Sequence, residues 1–283
     1  MSVLEVRDLA IRFGGLQALQ GLNIEVNEYE IVGLIGPNGA GKTTTVEILE
    51  GYRKRDGGDV TVLGVNPEHG GSALRERIGV VLQTSELPAA LTVREVHWMF
   101  AGYYAHPRDI DEVISLVGLE EKSGARVKTL SGGQKRRLDL GVALVGDPEL
   151  LFLDEPTTGF DPAARRTAWE LVRSLRALGK TIVLTTHYLD EAQQLADRVA
   201  VLREGRIVKI GSPAELIGTA PRVEIRYRED GRDVVVETDA PTRMLAELTG
   251  AAAAAGRELE SLEVVRPSLE DVYLDLIDGE DGA

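Results

Sequence analysis

Residues 36–44, with the sequence GPNGAGKTT, have the composition and spacing of a loop that binds phosphate. Glycines let backbone N–H groups approach phosphate oxygens closely, and a helix that follows presents its N-terminus to the anion. Lys42 would place a positive charge on the terminal phosphates, and the hydroxyl of Thr43 would be a ligand of Mg²⁺. A glycine turn without a ligand is the alternative, which the apolar strand before the loop and the helix after it disfavour. The predicted nucleotide-binding residues of this phosphate loop are Gly36, Pro37, Asn38, Gly39, Ala40, Gly41, Lys42, Thr43 and Thr44.

Two carboxylates, Asp154 and Glu155, follow the apolar run LLFL of residues 150–153. In an open parallel sheet, ligands collect at the carboxyl ends of the strands. We therefore expect Asp154 to hold Mg²⁺ through water, and Glu155 to polarise an attacking water or to accept its proton. The alternative is an acidic surface turn, which the buried strand and the upstream phosphate loop disfavour.

Three single residues have both a structural and a functional interpretation. Gln83 and His187 each end an apolar run, IGVVLQ and TIVLTTH, that is predicted to lie in the same sheet as Asp154. Both side chains could face the terminal phosphate, but a polar residue at a strand end is often a turn former, and a lone histidine is often structural or on the surface. Phe13 ends the first strand region. From the residues alone a core aromatic is favoured there over a platform for adenine.

A second anion-seeking segment is the LSGGQ loop, Leu130–Gln134, which precedes a predicted helix. It lies within a helical block, far along the chain from Lys42. One copy of the chain would have difficulty presenting both loops to the same phosphate. We therefore predict a head-to-tail pair, in which Ser131 and Gly133 of one copy cover the nucleotide held by Lys42 of the other. Such a dimer would form with the nucleotide and loosen after hydrolysis.

The elements that position these residues follow from the hydrophobic pattern. Strands alternate with helices, which predicts an α/β fold with a mainly parallel sheet. The region from Leu91 to Val145 has apolar residues at three- and four-residue spacing and is expected to form a helical insertion. After Gly218 the pattern changes to a ββαβα order, with a hairpin turning at Asp230–Gly231. This C-terminal region is expected to form a separate small α+β domain.

The composition excludes several kinds of protein. The chain has 283 residues, no cysteine, and 46 acidic against 32 basic residues, for a net charge of −14. Disulfides and thiolate metal sites are therefore absent, and sequence-independent binding of nucleic acid, which depends on Lys and Arg, is disfavoured. The sequence has no apolar run of about 18 residues and no secretory signal, so we expect a protein that reaches a membrane only by holding a partner.

In their order along the chain, the phosphate loop, Gln83, LSGGQ, LLFLDEP, TTGFD and His187 resemble the nucleotide-binding subunit of ATP-binding-cassette (ABC) transporters. The resemblance covers residues 1–218. It implies a P-loop NTPase core with a parallel sheet, an antiparallel β subdomain and a helical subdomain at about 86–146, and residues 219–283 are expected to form the C-terminal domain. One departure is Phe160, where the family usually has leucine.

The resemblance also implies a role for each matching residue. Phe13 would stack on adenine, Lys42 would bind phosphates, and Thr43, Gln83 and Asp154 would form the Mg²⁺ site. Glu155 would be the catalytic carboxylate, with His187 at the γ-phosphate and Gln83 as the link to the helical subdomain. The trans-acting signature would consist of Ser131, Gly132, Gly133 and Gln134, and Asp161 would lie in the loop that crosses the dimer interface.

The implied cofactors are ATP and Mg²⁺, and the implied partners are a second copy of the chain and integral membrane permease subunits at the cytoplasmic face of the inner membrane, without nucleic acid. PSLEDVYLDL, at residues 267–276, resembles the ending of drug- and antibiotic-export ATPases of the daunorubicin-resistance type, which implies export of a drug, antibiotic or lipid- or polysaccharide-like substrate. Two alternatives remain: a soluble ATPase acting on DNA or ribosomes, and an ATP-dependent scaffold.

The segment VREVHWMFAGYY, residues 93–104, concentrates aromatic side chains and a methionine. These residues could fill the core of the helical subdomain or form a groove for a permease helix. The groove hypothesis predicts that Trp98 or Tyr103 is more exposed than a core aromatic.

Overall fold

The computed structural model describes residues 1–83, 85–218, 223–229 and 231–278, and the chain divides into two units, Met1–Pro213 and Ala214–Ala283. The elements up to residue 217 are β1 (Ser2–Phe13), β2 (Leu16–Asn27), β3 (Ile31–Ile35), α1 (Lys42–Leu49), β4 (Gly57–Val62), α2 (Gly71–Arg75), β5 (Ile78–Val81), α3 (Val93–Ala101), α4 (Ile110–Leu116), α5 (Gly132–Leu144), β6 (Leu150–Asp154), α6 (Pro162–Ala177), β7 (Thr181–Thr186), α7 (Leu189–Leu195), β8 (Arg198–Arg203), β9 (Arg206–Gly211) and α8 (Pro213–Ile217). They are followed by β10 (Val223–Glu229), β11 (Arg232–Thr238), α9 (Pro241–Ala254), β12 (Glu260–Val265) and α10 (Leu269–Asp278).

The central sheet of the first unit has six strands in the order β5-β6-β7-β3-β8-β9. All pairs are parallel except β8 and β9, which form an antiparallel hairpin. Every residue of β3, β6 and β7 is buried, as their continuous apolar runs predict for strands covered on both faces. Because these strands are parallel, the phosphate loop after β3, Glu155 after β6 and His187 after β7 leave the sheet at the same edge. The predicted α/β class is confirmed.

A second sheet, antiparallel in the order β2-β1-β4, packs against the central one. The inward side chains of β1 and β2 belong to one hydrophobic cluster with residues of β3, α1 and β6. Leu9, Leu22, Leu34, Ile48 and Phe152 are fully buried members of that cluster. This core fixes α1, and therefore the loop before it, against β6.

Helices α3, α4 and α5 form within the predicted helical block and contact one another. Their buried side chains include Val96, Val113 and Leu138. Thr92 begins α3 with a capping box, because its hydroxyl accepts from the Glu95 amide while the Glu95 carboxylate accepts from the Thr92 amide. The helices therefore start where the sequence places polar caps.

The second unit contains an antiparallel sheet in the order β11-β10-β12, together with α9 and α10. The ββαβα order agrees with the prediction, and Ile225, Tyr227 and Leu269 are buried within this unit. Asp230 of the predicted hairpin turn, and residues 219–222 beside the predicted domain boundary, lie outside the described residues. In the part of the chain that is described, no helix is long and apolar enough to cross a bilayer.

Candidate functional site

The phosphate loop has a backbone that requires glycine at two points. Gly41 has a φ of 105°, in the left-handed region, and a Cβ on Gly36 would lie 2.4 Å from the carbonyl oxygen of Leu202. Lys42, the first residue of α1, donates hydrogen bonds from Nζ to the carbonyl oxygens of Gly36 (2.8 Å) and Pro37 (3.1 Å). The ammonium group is thus held inside the loop, where it could contact a bound phosphate group.

Burial lowers the pKa of Lys42, and the negative charges of Glu155 and Asp154 act in the opposite direction. The two carboxylates at the end of β6 are therefore close enough to the ammonium group to influence its protonation. This places the three charged side chains predicted from sequence around one position at the edge of the sheet.

Glu155 is the point at which the predicted catalytic residues meet. Its Oε2 accepts hydrogen bonds from Nε2 of Gln83 (2.8 Å) and from the hydroxyl of Thr158 (3.1 Å). Its Oε1 lies 3.3 Å from Nδ1 of His187. The structure therefore brings Gln83, Glu155 and His187 together, although they follow three different strands.

The pKa of Glu155 results from opposing effects. Burial raises it, but hydrogen bonds from His187 and Thr158, together with the electrostatic effects of His187 and Lys42, bring it below its ordinary value. Glu155 is consequently ionised at neutral pH, as a group that orients water or accepts its proton has to be.

Asp154 is the last residue of β6 and is buried. The hydroxyl of Thr185 on the neighbouring strand β7 donates a hydrogen bond to its Oδ1. Thr43 lies exposed in the first turn of α1. The carboxylate of Asp154, the hydroxyl of Thr43 and the amide oxygen of Gln83 would together give an all-oxygen donor set, which suits Mg²⁺.

Two sequence-based expectations are wrong in detail. Strand β5 ends at Val81 rather than at Gln83, and Leu82 is 53% exposed, so Gln83 lies in the loop after the strand. Phe13 is 41% exposed and is not a core aromatic. The guanidinium group of Arg53 lies 4.9 Å from the centre of its ring.

The LSGGQ loop is ordered by its own side chains. The hydroxyl of Ser131 accepts from the Gln134 amide (3.3 Å), and Oε1 of Gln134 accepts from the Ser131 amide (2.9 Å). This capping box begins α5 at Gly132. Asp161 caps α6 in a similar way, accepting hydrogen bonds from the backbone amides of Ala163 and Ala164.

A groove of about 340 Å³ lies between the LSGGQ loop and the loop that contains Asp161. Ser131, Gly132, Gly133 and Gln134 line one side, and Gly159, Phe160 and Asp161 line the other. No residue of the phosphate loop lines this groove, and neither does Glu155. The chain therefore separates the signature residues from the residues predicted to bind phosphate.

One buried polar residue near the site, Glu191, was not predicted from the sequence. Glu191, fully buried on α7, accepts hydrogen bonds from the hydroxyl of Thr157 (2.8 Å) and from the indole N–H of Trp169 (3.1 Å). It ties the helix after His187 to the loop after Glu155. The sequence signal that could have indicated this role is the position of Glu191, an acidic residue on the inward face of the short amphipathic helix α7.

The exposure predicted for the aromatic segment of residues 93–104 is confirmed. Trp98 and Tyr103 are each 74% exposed, and Met99 is also exposed. Phe100 and Tyr104 are half-buried. Part of the segment therefore presents apolar surface to solvent, and part packs within the helical subdomain.

Comparisons with known proteins agree on one family. A sequence profile described as ABC transporter matches residues 19–158. The Nod factor export ATP-binding protein I of Rhizobium sp. (strain N33) is 41% identical over an alignment of 289 residues, which covers 93% of each chain. The protein with the same name from Burkholderia lata is 44% identical over 220 residues, covering 76% of this chain and 72% of that one. Among solved structures, cbiO1 from Clostridium perfringens, described as part of the ABC transporter complex cbiONQ, is 30% identical with a TM-score of 0.71, covering 77% of this chain and 91% of that one.

Proposed function

This chain belongs to the ABC transporter family and is an ATPase of that family. We propose that it is the subunit that powers export through a separate membrane permease. The observation on which the proposal rests is the meeting of Gln83, Glu155 and His187 at the sheet edge, beside the phosphate loop. The two relatives named for Nod factor export support the direction of transport.

In the proposed reaction, ATP lies with its phosphates in the loop of residues 36–44 and its adenine against the exposed ring of Phe13. Lys42 exchanges its two backbone carbonyl contacts for phosphate oxygens. Thr43, Asp154 and Gln83 would hold Mg²⁺, which when bound neutralises charge on the phosphates. The ionised Glu155 orients the attacking water and takes its proton, and His187 contacts the γ-phosphate.

We further propose that two copies of the chain form the complete site. The groove beside Ser131 contains none of the phosphate-loop residues, so it is suited to cover a nucleotide held by another copy. Asp161, in the same groove, would contact the partner. A symmetric pair would then contain two composite sites that form with ATP and open after hydrolysis.

The partner at the membrane is proposed to be an integral permease, which the exposed Trp98 and Tyr103 would help to contact. The chain would then be peripheral, at the cytoplasmic face of the inner membrane. We assign nucleotide chemistry to residues 1–218, and we place residues 219–283 with the daunorubicin-resistance type because of the PSLEDVYLDL ending. The proposed cargo is accordingly a drug, antibiotic or lipid- or polysaccharide-like molecule. The net charge of −14 supports the absence of nucleic acid as a partner.

The substitution Glu155→Gln tests the proposed chemistry. It keeps the size of the side chain and removes the ionised oxygen, so steady-state ATP hydrolysis should fall by about 100-fold or more while ATP binding persists. Turnover of the purified chain, measured by phosphate release, and binding of a fluorescent ATP analogue provide the two readouts.

Glu149→Gln is the matched control. Glu149 precedes β6 at the end opposite Glu155 and forms its ion pair with Arg77. Its variant should hydrolyse ATP at the wild-type rate. Wild-type turnover in Glu155→Gln would remove Glu155 from the mechanism, and the proposal would fail.

A further inference from the structure

Arg136, in the second turn of α5, extends its side chain to the catalytic edge of the sheet. Its Nη2 donates to the carbonyl oxygens of Asp154 (2.8 Å) and Glu155 (3.1 Å), and its Nε donates to that of Pro156 (3.0 Å). Its Nη1 donates a further hydrogen bond to the carbonyl oxygen of Leu82. All four of these acceptors are backbone oxygens.

Three of these carbonyl groups surround a strained position. Glu155 has a φ of 46°, which is unfavourable for a residue with a Cβ by about 1 kcal/mol or more. The backbone amide of Glu155 donates to both the carbonyl oxygen and the hydroxyl of Thr185, each at 3.1 Å. Arg136 holds the carbonyl side of the same turn. The conformation that directs the Glu155 carboxylate toward Gln83 and His187 is thus fixed from two sides.

The fourth carbonyl group fixes Gln83. Strand β5 ends at Val81, where its last partner in β6 is Leu153, so no ladder hydrogen bond of the sheet holds Leu82 or Gln83. Leu82 is exposed, and its carbonyl oxygen is anchored by Arg136 immediately before Gln83. One guanidinium group therefore holds the backbone on both sides of the hydrogen bond between Gln83 and Glu155.

We propose that Arg136 is a positioning residue that joins the LSGGQ helix to the catalytic carboxylate of its own chain. The helix that starts at Ser131 contains Arg136, so a displacement of the LSGGQ loop moves the turn at Glu155 and the backbone before Gln83. In the proposed dimer, where the LSGGQ loop contacts the nucleotide of the other copy, closure over one nucleotide then adjusts the carboxylate beside the other. This inference rests on the proposed function.

The contacts require the geometry of arginine rather than its charge alone. A guanidinium group presents five N–H donors in a rigid planar fork, whereas the ammonium group of lysine is a single point on a flexible stem. Lysine could reach one or two of the four carbonyl oxygens at a time. Arg136→Lys therefore keeps the charge and disconnects the helix from part of the catalytic edge.

The test compares Arg136→Lys with Arg173→Lys in the full-length chain. Arg173 lies on α6 and donates to the backbone and side chain of Gln194, away from the catalytic edge. We expect the kcat of Arg136→Lys for MgATP to fall by about 10- to 100-fold, while KM and the Kd of a fluorescent ATP analogue stay within about twofold. The Hill coefficient for ATP should fall toward one. Arg173→Lys should keep the wild-type kcat and Hill coefficient.

Thermal unfolding with and without ATP shows whether each variant is folded, and Arg136→Gln replaces the lysine variant if that one does not fold. A folded variant at position 136 with a wild-type kcat, or with kcat and ATP affinity reduced together, would overturn the proposal. If Glu155→Gln abolishes turnover but Arg136→Lys does not, only the role of Arg136 fails. If Glu155→Gln retains turnover, the proposed function itself fails.

Discussion

Glu155 and Glu50 show how hydrogen bonding decides the charge of a carboxyl group in this protein. Burial raises the pKa of both. At Glu155 the hydrogen bonds from His187 and Thr158 more than compensate, and the group is ionised. At Glu50, which follows α1, burial and the negative charges of Asp154 and Glu47 all act in the same direction and raise its pKa to about 8. Glu50 is therefore mainly protonated at neutral pH, whereas Glu155 is ionised.

Glu50 predicts a pH dependence of stability. Its pKa in the folded chain is about 8, above the ordinary value of 4.5, so the folded state holds the proton more tightly than the unfolded state does. Stability from this group is fully present below pH 4.5 and is lost as the pH rises toward 8. Glu50→Gln, which has no proton to lose, should reduce the fall in unfolding free energy between pH 5.5 and 8 by about 3 kcal/mol. Urea unfolding of the wild type and the variant at pH 5.5 and at pH 8 measures this change in unfolding free energy.

Glu149→Gln is also the control for this experiment. A hydrogen bond from Arg77 holds the pKa of Glu149 below its ordinary value, so Glu149 is ionised in both states above pH 5.5. Glu149→Gln should therefore show the same change in unfolding free energy between pH 5.5 and 8 as the wild type. If the unfolding free energy of Glu50→Gln fell as steeply with pH as that of the wild type, Glu50 would already be ionised in the folded chain.

At the scale of elements, the contact between α5 and α3 depends on the absence of a side chain. A Cβ on Gly141 of α5 would lie 2.3 Å from Nε2 of His97 on α3. The imidazole of His97 is fully buried, and its Nδ1 is hydrogen-bonded to the carbonyl oxygen of Val93 at 2.8 Å. It cannot move aside without losing that bond or its packing.

Gly141→Ala should therefore destabilise the first unit by about 2 kcal/mol, even though alanine is the better helix former by about 1 kcal/mol. Gly250→Ala provides the comparison, because Gly250 lies within α9 and a Cβ added there would meet no atom of another part of the chain within 4 Å. That variant should be more stable by about 0.5–1 kcal/mol. Chemical unfolding of both variants measures the difference, and an unchanged midpoint for Gly141→Ala would show that His97 can repack.

Local patterns predicted the elements better than the contacts between them. The apolar runs of β3, β6 and β7, and the glycine spacing before Lys42, are local properties and were found from sequence. The hydrogen bond between Thr185 and Asp154 depends on strand register, since these residues are neighbours across the β6–β7 pair. The exposure of Phe13 follows from its place at the end of a hairpin, opposite Leu16. Neither register nor pairing is encoded in periodicity alone.

At the scale of the whole molecule, the part of the chain that the structure describes has two loops whose sequences predict anion binding, and one pair of carboxylates, Asp154 and Glu155, that we propose to be catalytic. The phosphate loop lies with Glu155 at the edge of the central sheet. The LSGGQ loop begins a helix of the helical subdomain and opens onto a groove shared with Asp161. In the proposed dimer a second copy would bring a phosphate loop to each such groove, and this arrangement would give both loops of one chain a function.

A pair of inactive variants tests this arrangement. Lys42→Ala removes the phosphate-binding charge, and Ser131→Arg fills the groove and removes the cap of α5. In a dimer with one variant on each chain, the proposed trans arrangement leaves one site with an intact Lys42 and an intact Ser131, and the other site with neither. Mixing the two inactive proteins should therefore restore occlusion of about one labelled ATP per dimer and part of the hydrolysis. If each site used the Lys42 and Ser131 of the same chain, every site in the mixture would be damaged, and the mixture would stay as inactive as its components.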